Sequence, residues 1–254
     1  MTGQSIRAAG PINLEVAMVN SSPHPALADP TRLQLALCAF WMGTAALLLA
    51  TLAARIVTNV DLRQWWVPAA LFGGIVAADF LSGIVHWAAD TWGHADLPIV
   101  GPRLLLPFRV HHVNPDDILR RRFLDANGNV AAVTIPVLLL LLLVPFDHYA
   151  PVAVGALGLC AFGMMTNQIH QWAHMPTPPR PVRALQKLGI LLKPAAHAAH
   201  HCGGYDRHYC ITTGWCNRPL EAIDFFGLLE RAVTHITGTL PRADEHRFAS
   251  ERLS

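Results

Sequence analysis

The chain has 254 residues, of which 52% are hydrophobic and only 14% are charged. Because a soluble domain carries about 25% charged residues, this composition argues against a disordered chain and against an ordinary cytosolic enzyme. The formal net charge of +2 is too small to indicate a polyanionic partner, so we expect no binding to nucleic acid. The hydrophobic residues are concentrated in long runs, which predicts a membrane protein.

The first predicted elements in chain order are an N-terminal arm and two membrane spans. Residues 1–32 are mixed in composition, show no periodicity and are predicted to form a flexible arm. The run from Leu33 to Ala54 contains no charge and is long enough to cross a hydrocarbon core about 30 Å thick. A second span is predicted from Trp65 to Val85, with one charge, Asp79, inside it.

Two further spans are predicted from Val130 to Phe146 and from Ala150 to Met165, as an antiparallel helical hairpin. The dipeptide Asn127–Gly128, just before the hairpin, is typical of a turn. Residues 182–192 have helical periodicity and are predicted to lie on the membrane surface. The expected fold is therefore all-α, with four transmembrane helices in a membrane domain of residues 33–245 and a short tail of residues 246–254.

The distribution of positive charge predicts the orientation of these spans. Four spans place the arm, the 86–129 loop and the segment after residue 167 on the same side of the membrane. That side carries 17 Lys and Arg residues, whereas the other side carries only Arg55 and Arg63. Because positively charged segments remain in the cytoplasm, we expect both termini and the polar segments to be cytoplasmic. The five cysteines form no C-x-x-C; Cys38 and Cys160 lie in apolar runs and are expected to be buried packing residues, and the other three are expected to be reduced thiols.

Eight of the 14 histidines lie in groups, all in the segments predicted to be cytoplasmic. Many of them are three or four residues apart, so their rings share one face of a helix and can direct nitrogens to one point. Such spacing is a common way to build part of a metal site. The grouped residues are His86, His111, His112, His170, His174, His197, His200 and His201.

Two acidic residues lie on the same helical face as the first of these histidines. Asp90 follows His86 by four positions, and Asp79 precedes it by seven. Asp79 is either part of the site or a polar contact to a neighbouring helix, since carboxylates within membrane spans are often functional. His94 and His208 lie near the groups without sharing their spacing. The isolated His24, His148, His235 and His246 are expected to be solvated.

Eight imidazoles are too many for one tetrahedral zinc ion, so the pattern predicts two metal ions. Imidazole binds iron, copper, nickel and zinc alike, so the types of ligand residue do not identify the metal. Beside a bilayer, the chemistry that most needs two redox metals is O2 activation for attack on an unactivated C–H bond. Two alternatives stay open: a membrane zinc amidohydrolase acting on lipids, and a non-enzymatic metal-binding membrane protein.

Five longer motifs carry a resemblance to a known family. They are ADFLSGIVHWAADTWG at 78–93, PFRVHH at 107–112, TNQIHQWAH at 166–174, YCITTGW at 209–215 and TGTLPRAD at 237–244. In this order, over about residues 70–245, they resemble the plasmanylethanolamine desaturases, a lipid desaturase family. The resemblance implies an oxidoreductase in which a histidine-bound diiron centre uses O2 to desaturate a lipid chain, forming the vinyl ether of plasmalogens.

The resemblance also implies roles for individual residues. The eight grouped histidines match the metal-binding histidines of the family, and Asp79 and Asp90 match its acidic residues as ligands or as groups that orient an imidazole. It further implies a phospholipid substrate, two iron ions and an external electron donor similar to cytochrome b5 or ferredoxin.

The chain departs from the family pattern at two places. Arg121–Arg122 replaces a His-Asp pair, and Gly204–Tyr205 replaces a Pro-His pair. Both features resemble, at least in part, the plastid desaturases that place a trans double bond in the palmitoyl chain of phosphatidylglycerol. The choice between an ether lipid and an acyl lipid therefore stays open. The basic run Arg120 to Arg122 either holds a phosphate headgroup or serves orientation only.

Overall fold

The computed structural model describes residues 26–243 of the chain. Within that range the secondary structure is helical, with ten α-helices, a π-helical turn, a 3-10 turn and no strand. The expectation of an all-α protein is confirmed. Most of the predicted flexible arm and all of the predicted tail at 246–254 lie outside the described residues.

Three of the helices are long and apolar enough to cross a membrane. They are α1 (Arg32–Asn59), α2 (Trp66–Thr91) and α4 (Phe123–Leu141). A fourth span is formed if α5 (Phe146–Met164) and α6 (Thr166–His174), which are bent by 42° at their junction, cross as one broken helix. The shorter helices are α3 (Leu106–Val113), α7 (Arg180–Leu188), α8 (Pro194–His200), α9 (Asn217–Ala222) and α10 (Phe225–Thr237).

The bounds of the helices differ from the predicted spans: α1 and α2 run past the predicted ends at Ala54 and Val85, whereas α4 ends at Leu141, before the predicted Phe146. Helix α1 begins after Thr31, which forms a capping box with Gln34. The predicted turn at Asn127–Gly128 is wrong, because both residues lie inside α4. Contacts from other helices support this conformation: the Gln168 N–H donates to the Asn127 side chain at 3.1 Å, and Cys38 packs against Gly128.

The four long helices pack in two close pairs, α1 with α4 and α2 with α5. A Cβ atom at Gly74 would overlap the carbonyl oxygen of Gly155, so α2 and α5 touch backbone to backbone. The buried contacts between helices are largely small or aliphatic, such as Ala45, Leu52 and Leu138. The outer surface carries exposed large apolar side chains, as expected for a surface covered by lipid; they include Phe40, Leu47, Val133, Leu140 and Leu143.

The two ends of the bundle are different. At one end Arg55 donates to the Leu142 carbonyl and lies over the Phe146 ring, so the end of α1 meets the α4–α5 junction. At the other end the short helices form a polar cap. His86 follows Trp66 by 20 residues on α2, or about 30 Å of helix at 1.5 Å per residue. This rise matches a hydrocarbon core, so the C-terminal end of α2 enters the cap.

Candidate metal centre

Nine side chains meet at the centre of the cap and form two groups of candidate metal ligands. Within each group the donor atoms all lie within 4.8 Å of one another. The five-histidine group consists of His111, His170, His174, His197 and His201. The His–Asp group consists of His86, Asp90, His112 and His200. All eight histidines singled out in the sequence are therefore brought together, with one of the two acids.

Four helices supply these ligands through helical spacing. Helix α2 presents its His and Asp four residues apart, and α6 does the same with two histidines. Adjacent side chains on a helix point in different directions, so α3 sends His111 to the five-histidine group and its neighbour His112 to the His–Asp group. At the C-terminal end of α8 the adjacent His200 and His201 divide in the same way, with His200 in the His–Asp group and His201 in the other.

In the five-histidine group the ring nitrogens converge on one another. The Nε2 atom of His197 lies 2.8 Å from that of His170, 2.6 Å from that of His174 and 3.0 Å from that of His201. Both ring nitrogens of His111 are buried without a hydrogen-bond partner. Because buried polar atoms are nearly always satisfied, this set of lone pairs fits a bound cation.

In the His–Asp group three imidazoles surround one carboxylate. Asp90 Oδ2 lies 3.1 Å from His86 Nε2 and 3.4 Å from His200 Nε2. Asp90 Oδ1 lies 3.4 Å from His112 Nε2. The Nδ1 atoms of His86 and His200 donate to backbone carbonyls, of Tyr209 at 2.9 Å and of Arg207 at 2.7 Å. These bonds place the proton on Nδ1 and leave the Nε2 lone pair directed into the group.

Burial disfavours the charged form of several imidazoles in the cap. It lowers the pKa values of His111 and His197 well below the usual range for histidine. It also lowers the pKa of His200 to about 4 and that of His201 to about 2. Desolvation disfavours the charged imidazolium, so at neutral pH these rings offer lone pairs rather than protons, which is the state that binds a metal ion.

The donor set as a whole fits two transition-metal ions. One tetrahedral ion uses four donors, whereas nine donors in two separate groups are present. Eight nitrogens and a single carboxylate suit iron, copper, nickel or zinc rather than magnesium or calcium.

Asp79 lies outside both groups of candidate ligands, and backbone N–H groups satisfy its carboxylate. Its Oδ1 accepts the backbone N–H groups of Thr213 at 2.7 Å and Gly214 at 2.8 Å. Its Oδ2 accepts the N–H of Cys216 at 2.9 Å. Asp79 therefore ties the 209–216 segment to the middle of α2, whereas Asp90 lies within a group of candidate ligands.

The remaining polar residues singled out in the sequence also lie outside both groups. His208 contacts Glu221 at 3.3 Å, and His94 lies in the loop after α2. Arg120 forms an ion pair with Asp117 at 2.6 Å, and Arg121 contacts the same carboxylate at 3.3 Å. Two of the three arginines in this run are thus bound within the protein.

Two residues beside the ligands had no role assigned from the sequence. The buried Arg109 donates to the Ala89 and Asp90 carbonyls, both at 2.7 Å, and so joins α3 to the end of α2. The Tyr205 ring stacks on His112 with centroids 3.9 Å apart, and its hydroxyl donates to the His112 carbonyl at 3.0 Å. The sequence does contain a signal for Arg109, because it is a charged residue within an apolar segment and lies two residues before a histidine pair.

Comparison with known proteins identifies relatives that share most of this chain. A family model described as a lipid desaturase domain matches residues 75–244. The chain is 43% identical to plasmanylethanolamine desaturase of Myxococcus xanthus over 183 residues, which are 71% of this chain and 65% of that protein. It is 39% identical to plasmanylethanolamine desaturase 1 of Mus musculus over 213 residues, 79% of this chain and 78% of the mouse protein.

A more distant relative comes from a plant. Fatty acid desaturase 4-like 1, a chloroplastic protein of Arabidopsis thaliana, is 34% identical over 200 residues, which cover 76% of this chain and 66% of that protein. No solved structure gives a significant match.

Proposed function

Since this chain belongs to the lipid desaturase family, we propose that it is an oxidoreductase that introduces a double bond into a membrane lipid. Two hydrogens leave adjacent carbons of the lipid chain. O2 takes up these two hydrogens, two electrons from an external donor and two protons from the solvent, and is reduced to two water molecules. The donor is a small electron carrier similar to cytochrome b5 or ferredoxin.

The observation that carries this proposal is the pair of buried ligand groups at the end of two apolar helices. The eight histidines and Asp90 would hold two iron ions, which supply the redox chemistry when bound. The backbone carbonyls of Tyr209 and Arg207 orient two of the imidazoles. Burial of the His–Asp group keeps bulk water from an oxidising site. A lipid zinc hydrolase would leave one of the two groups unused.

An alkyl ether phospholipid is the proposed substrate, and the vinyl ether of a plasmalogen is the product. The relatives named for this reaction are 43% and 39% identical to the chain, against 34% for the plastid fatty acid desaturase. Arg121 is paired with Asp117 and Asp125 within the protein, so this departure from the family pattern does not favour an acyl lipid. Tyr205, a feature that resembles the plastid desaturases, stacks on His112 in the His–Asp group. An acyl-chain phospholipid is therefore the second candidate substrate.

Mass spectrometry of lipids separates these candidates. The full chain is expressed in aerobic cells that lack ether-lipid desaturation and are fed an alkyl ether lipid. We expect a phospholipid two hydrogens lighter that releases an aldehyde in mild acid. An acid-stable loss of two hydrogens would instead indicate acyl desaturation. Unchanged lipids in cells that also contain a competent electron donor would contradict both.

Replacing one ligand tests the metal assignment. His200→Ala removes a buried nitrogen from the His–Asp group, so we expect no lipid product and less iron bound to the purified protein. His148→Ala is the matched control, because His148 is exposed near the α4–α5 junction. Full activity of His200→Ala would overturn the assignment, whereas loss of activity in both variants would indicate general damage.

A further inference from the structure

The C-terminal end of α2 is held by contacts from a segment far away in the sequence. The backbone N–H of Arg242 donates to the Thr91 carbonyl at 2.7 Å. Its guanidinium donates to both carboxylate oxygens of Glu230 on α10, at 2.8 and 3.2 Å. The Trp87 indole donates to the same carboxylate at 3.2 Å. The ion pair is sheltered, with side chains only 16% and 18% exposed, so its geometry is held more firmly than that of a surface pair.

The same guanidinium is also connected to the candidate metal ligands, through Tyr209. Arg242 donates to the Tyr209 hydroxyl at 2.9 Å, and this hydroxyl donates to the Tyr205 carbonyl at 2.8 Å. The Tyr209 side chain is fully buried and packs on Phe226 of α10. Its backbone carbonyl accepts the Nδ1 proton of His86. One arginine thus supports the residue that sets the orientation of a ligand.

A second branch reaches another ligand of the same group. Tyr205, which accepts the Tyr209 hydroxyl proton, stacks on His112 and donates to its carbonyl. His86 and His112 both belong to the His–Asp group. Tyr205 meets the five-histidine group more loosely, with its ring 5.9 Å from that of His201 between centroids, and other residues support this group. Beside its ligands on α6, Gln171 donates to the carbonyl oxygens at residues 118 and 121.

The backbone of this network is held in an uncommon conformation. Arg242 has a φ of 55° and Tyr205 a φ of 52°. A residue with a side chain adopts this left-handed region only when its surroundings fix it there, and such positions concentrate at functional sites. The side-chain contacts of both residues supply that restraint.

We propose that Glu230, Arg242 and Tyr209 form a latch that positions the His–Asp group and not the five-histidine group. The latch makes binding of one of the two metal ions depend on the C-terminal segment. These are positioning residues, because none of them contributes a ligand atom to either group. The inference rests on the proposed two-metal site.

Metal stoichiometry of the purified full-length protein tests the latch. Wild type and Arg242→Met are loaded anaerobically with Fe²⁺ in detergent, desalted and measured by elemental mass spectrometry. We expect about two ions per chain in the wild type and about one in Arg242→Met. Arg231→Met is the matched control. It removes an arginine from α10 whose ion pair with Asp224 is exposed, with side chains 64% and 63% accessible, and it should keep both ions.

Tyr209→Phe is a milder second variant. It keeps the buried ring but removes the hydroxyl that links Arg242 to Tyr205. Contacts that orient metal ligands change affinity by about 10- to 100-fold when removed, so we expect about tenfold weaker binding of one Fe²⁺ and unchanged binding of the other. If Arg242→Met does not elute as a folded protein, the iron binding of Tyr209→Phe tests the latch instead.

Three results would overturn the latch, and a fourth concerns the site itself. Wild-type stoichiometry and affinity in either variant would remove the positioning role. Equal loss of both ions in a folded variant would make the latch a general support rather than a selective one. A similar loss in Arg231→Met would point to α10 as a whole. If the wild type itself binds only one ion, the two-metal proposal fails independently of the latch.

Discussion

At the scale of single residues, two buried carboxylates on one helix have opposite uses. Asp79 accepts several backbone N–H groups of the 209–216 segment, so its charge is satisfied within the fold. Asp90 faces three imidazole Nε2 atoms. A carboxylate surrounded by lone pairs binds a cation, whereas a carboxylate surrounded by N–H donors acts as a structural acceptor.

Asparagine substitutions should separate these two uses. Asp79→Asn retains one acceptor oxygen but directs an NH2 group at backbone donors, so we expect the free energy of unfolding to fall by about 3 kcal/mol. Asp90→Asn should leave stability of the metal-free protein nearly unchanged and lower bound iron. Thermal unfolding in detergent and elemental analysis measure the two effects. A stable Asp79→Asn variant with depleted iron would contradict this division.

At the scale of elements, the crossing of α2 and α5 places the two groups of candidate ligands relative to each other. Helix α2 carries the His and Asp of one group, and α5 leads directly into α6, which carries two histidines of the other. Lipid does not drive apolar helices together, so close backbone packing at small residues must hold this crossing. Gly74 and Gly158 supply it, each against a backbone carbonyl of the partner helix.

Two neighbouring glycines provide a test of that crossing. Gly74→Leu would force α2 and α5 apart and should destabilise the protein by about 3 kcal/mol, the upper end of typical overpacking costs. Bound iron should fall as well. Gly73→Leu is the control, because a Cβ at Gly73 has no neighbour within 4 Å. Melting temperature and iron content should change in the first variant only; equal changes in both would argue against the crossing as the cause.

At the scale of the whole molecule, contacts at both ends support one arrangement of the four apolar segments. Arg55 joins the end of α1 to the α4–α5 junction. Arg120, just before α4, donates to the Leu27 carbonyl that precedes α1. The metal centre therefore lies at the end opposite the α4–α5 junction. With the excess of positive charge on the ligand side, this end is proposed to face the cytoplasm.

Thiol labelling of intact cells tests the orientation. Cys202 is the exposed cysteine, next to the ligand His201. We expect an impermeant maleimide to label it only after the cells are opened. A cysteine introduced by His148→Cys, at the opposite end, should react in intact cells when Cys202 is replaced by serine. The reverse pattern would place the metal centre on the outer side.

The sequence by itself determined the features that depend on neighbours along the chain. Uncharged runs defined the spans, and spacings of three and four residues identified the histidines of the centre other than the adjacent pair His111–His112, because helical faces repeat locally. Composition also indicated an all-α membrane protein. The helical state of Asn127 and Gly128 was not predictable in this way, since Gln168 and Cys38 contact them from other helices.

Only the tertiary structure decided how those local faces meet. The division of neighbouring histidines between two groups, the different surroundings of Asp90 and Asp79 and the contacts of Arg242 all depend on segments distant in sequence. Asp79 and Thr213, for example, are 134 residues apart. A periodic pattern specifies which side chains share a face, but the helix crossings and the path of the loops specify what each face touches.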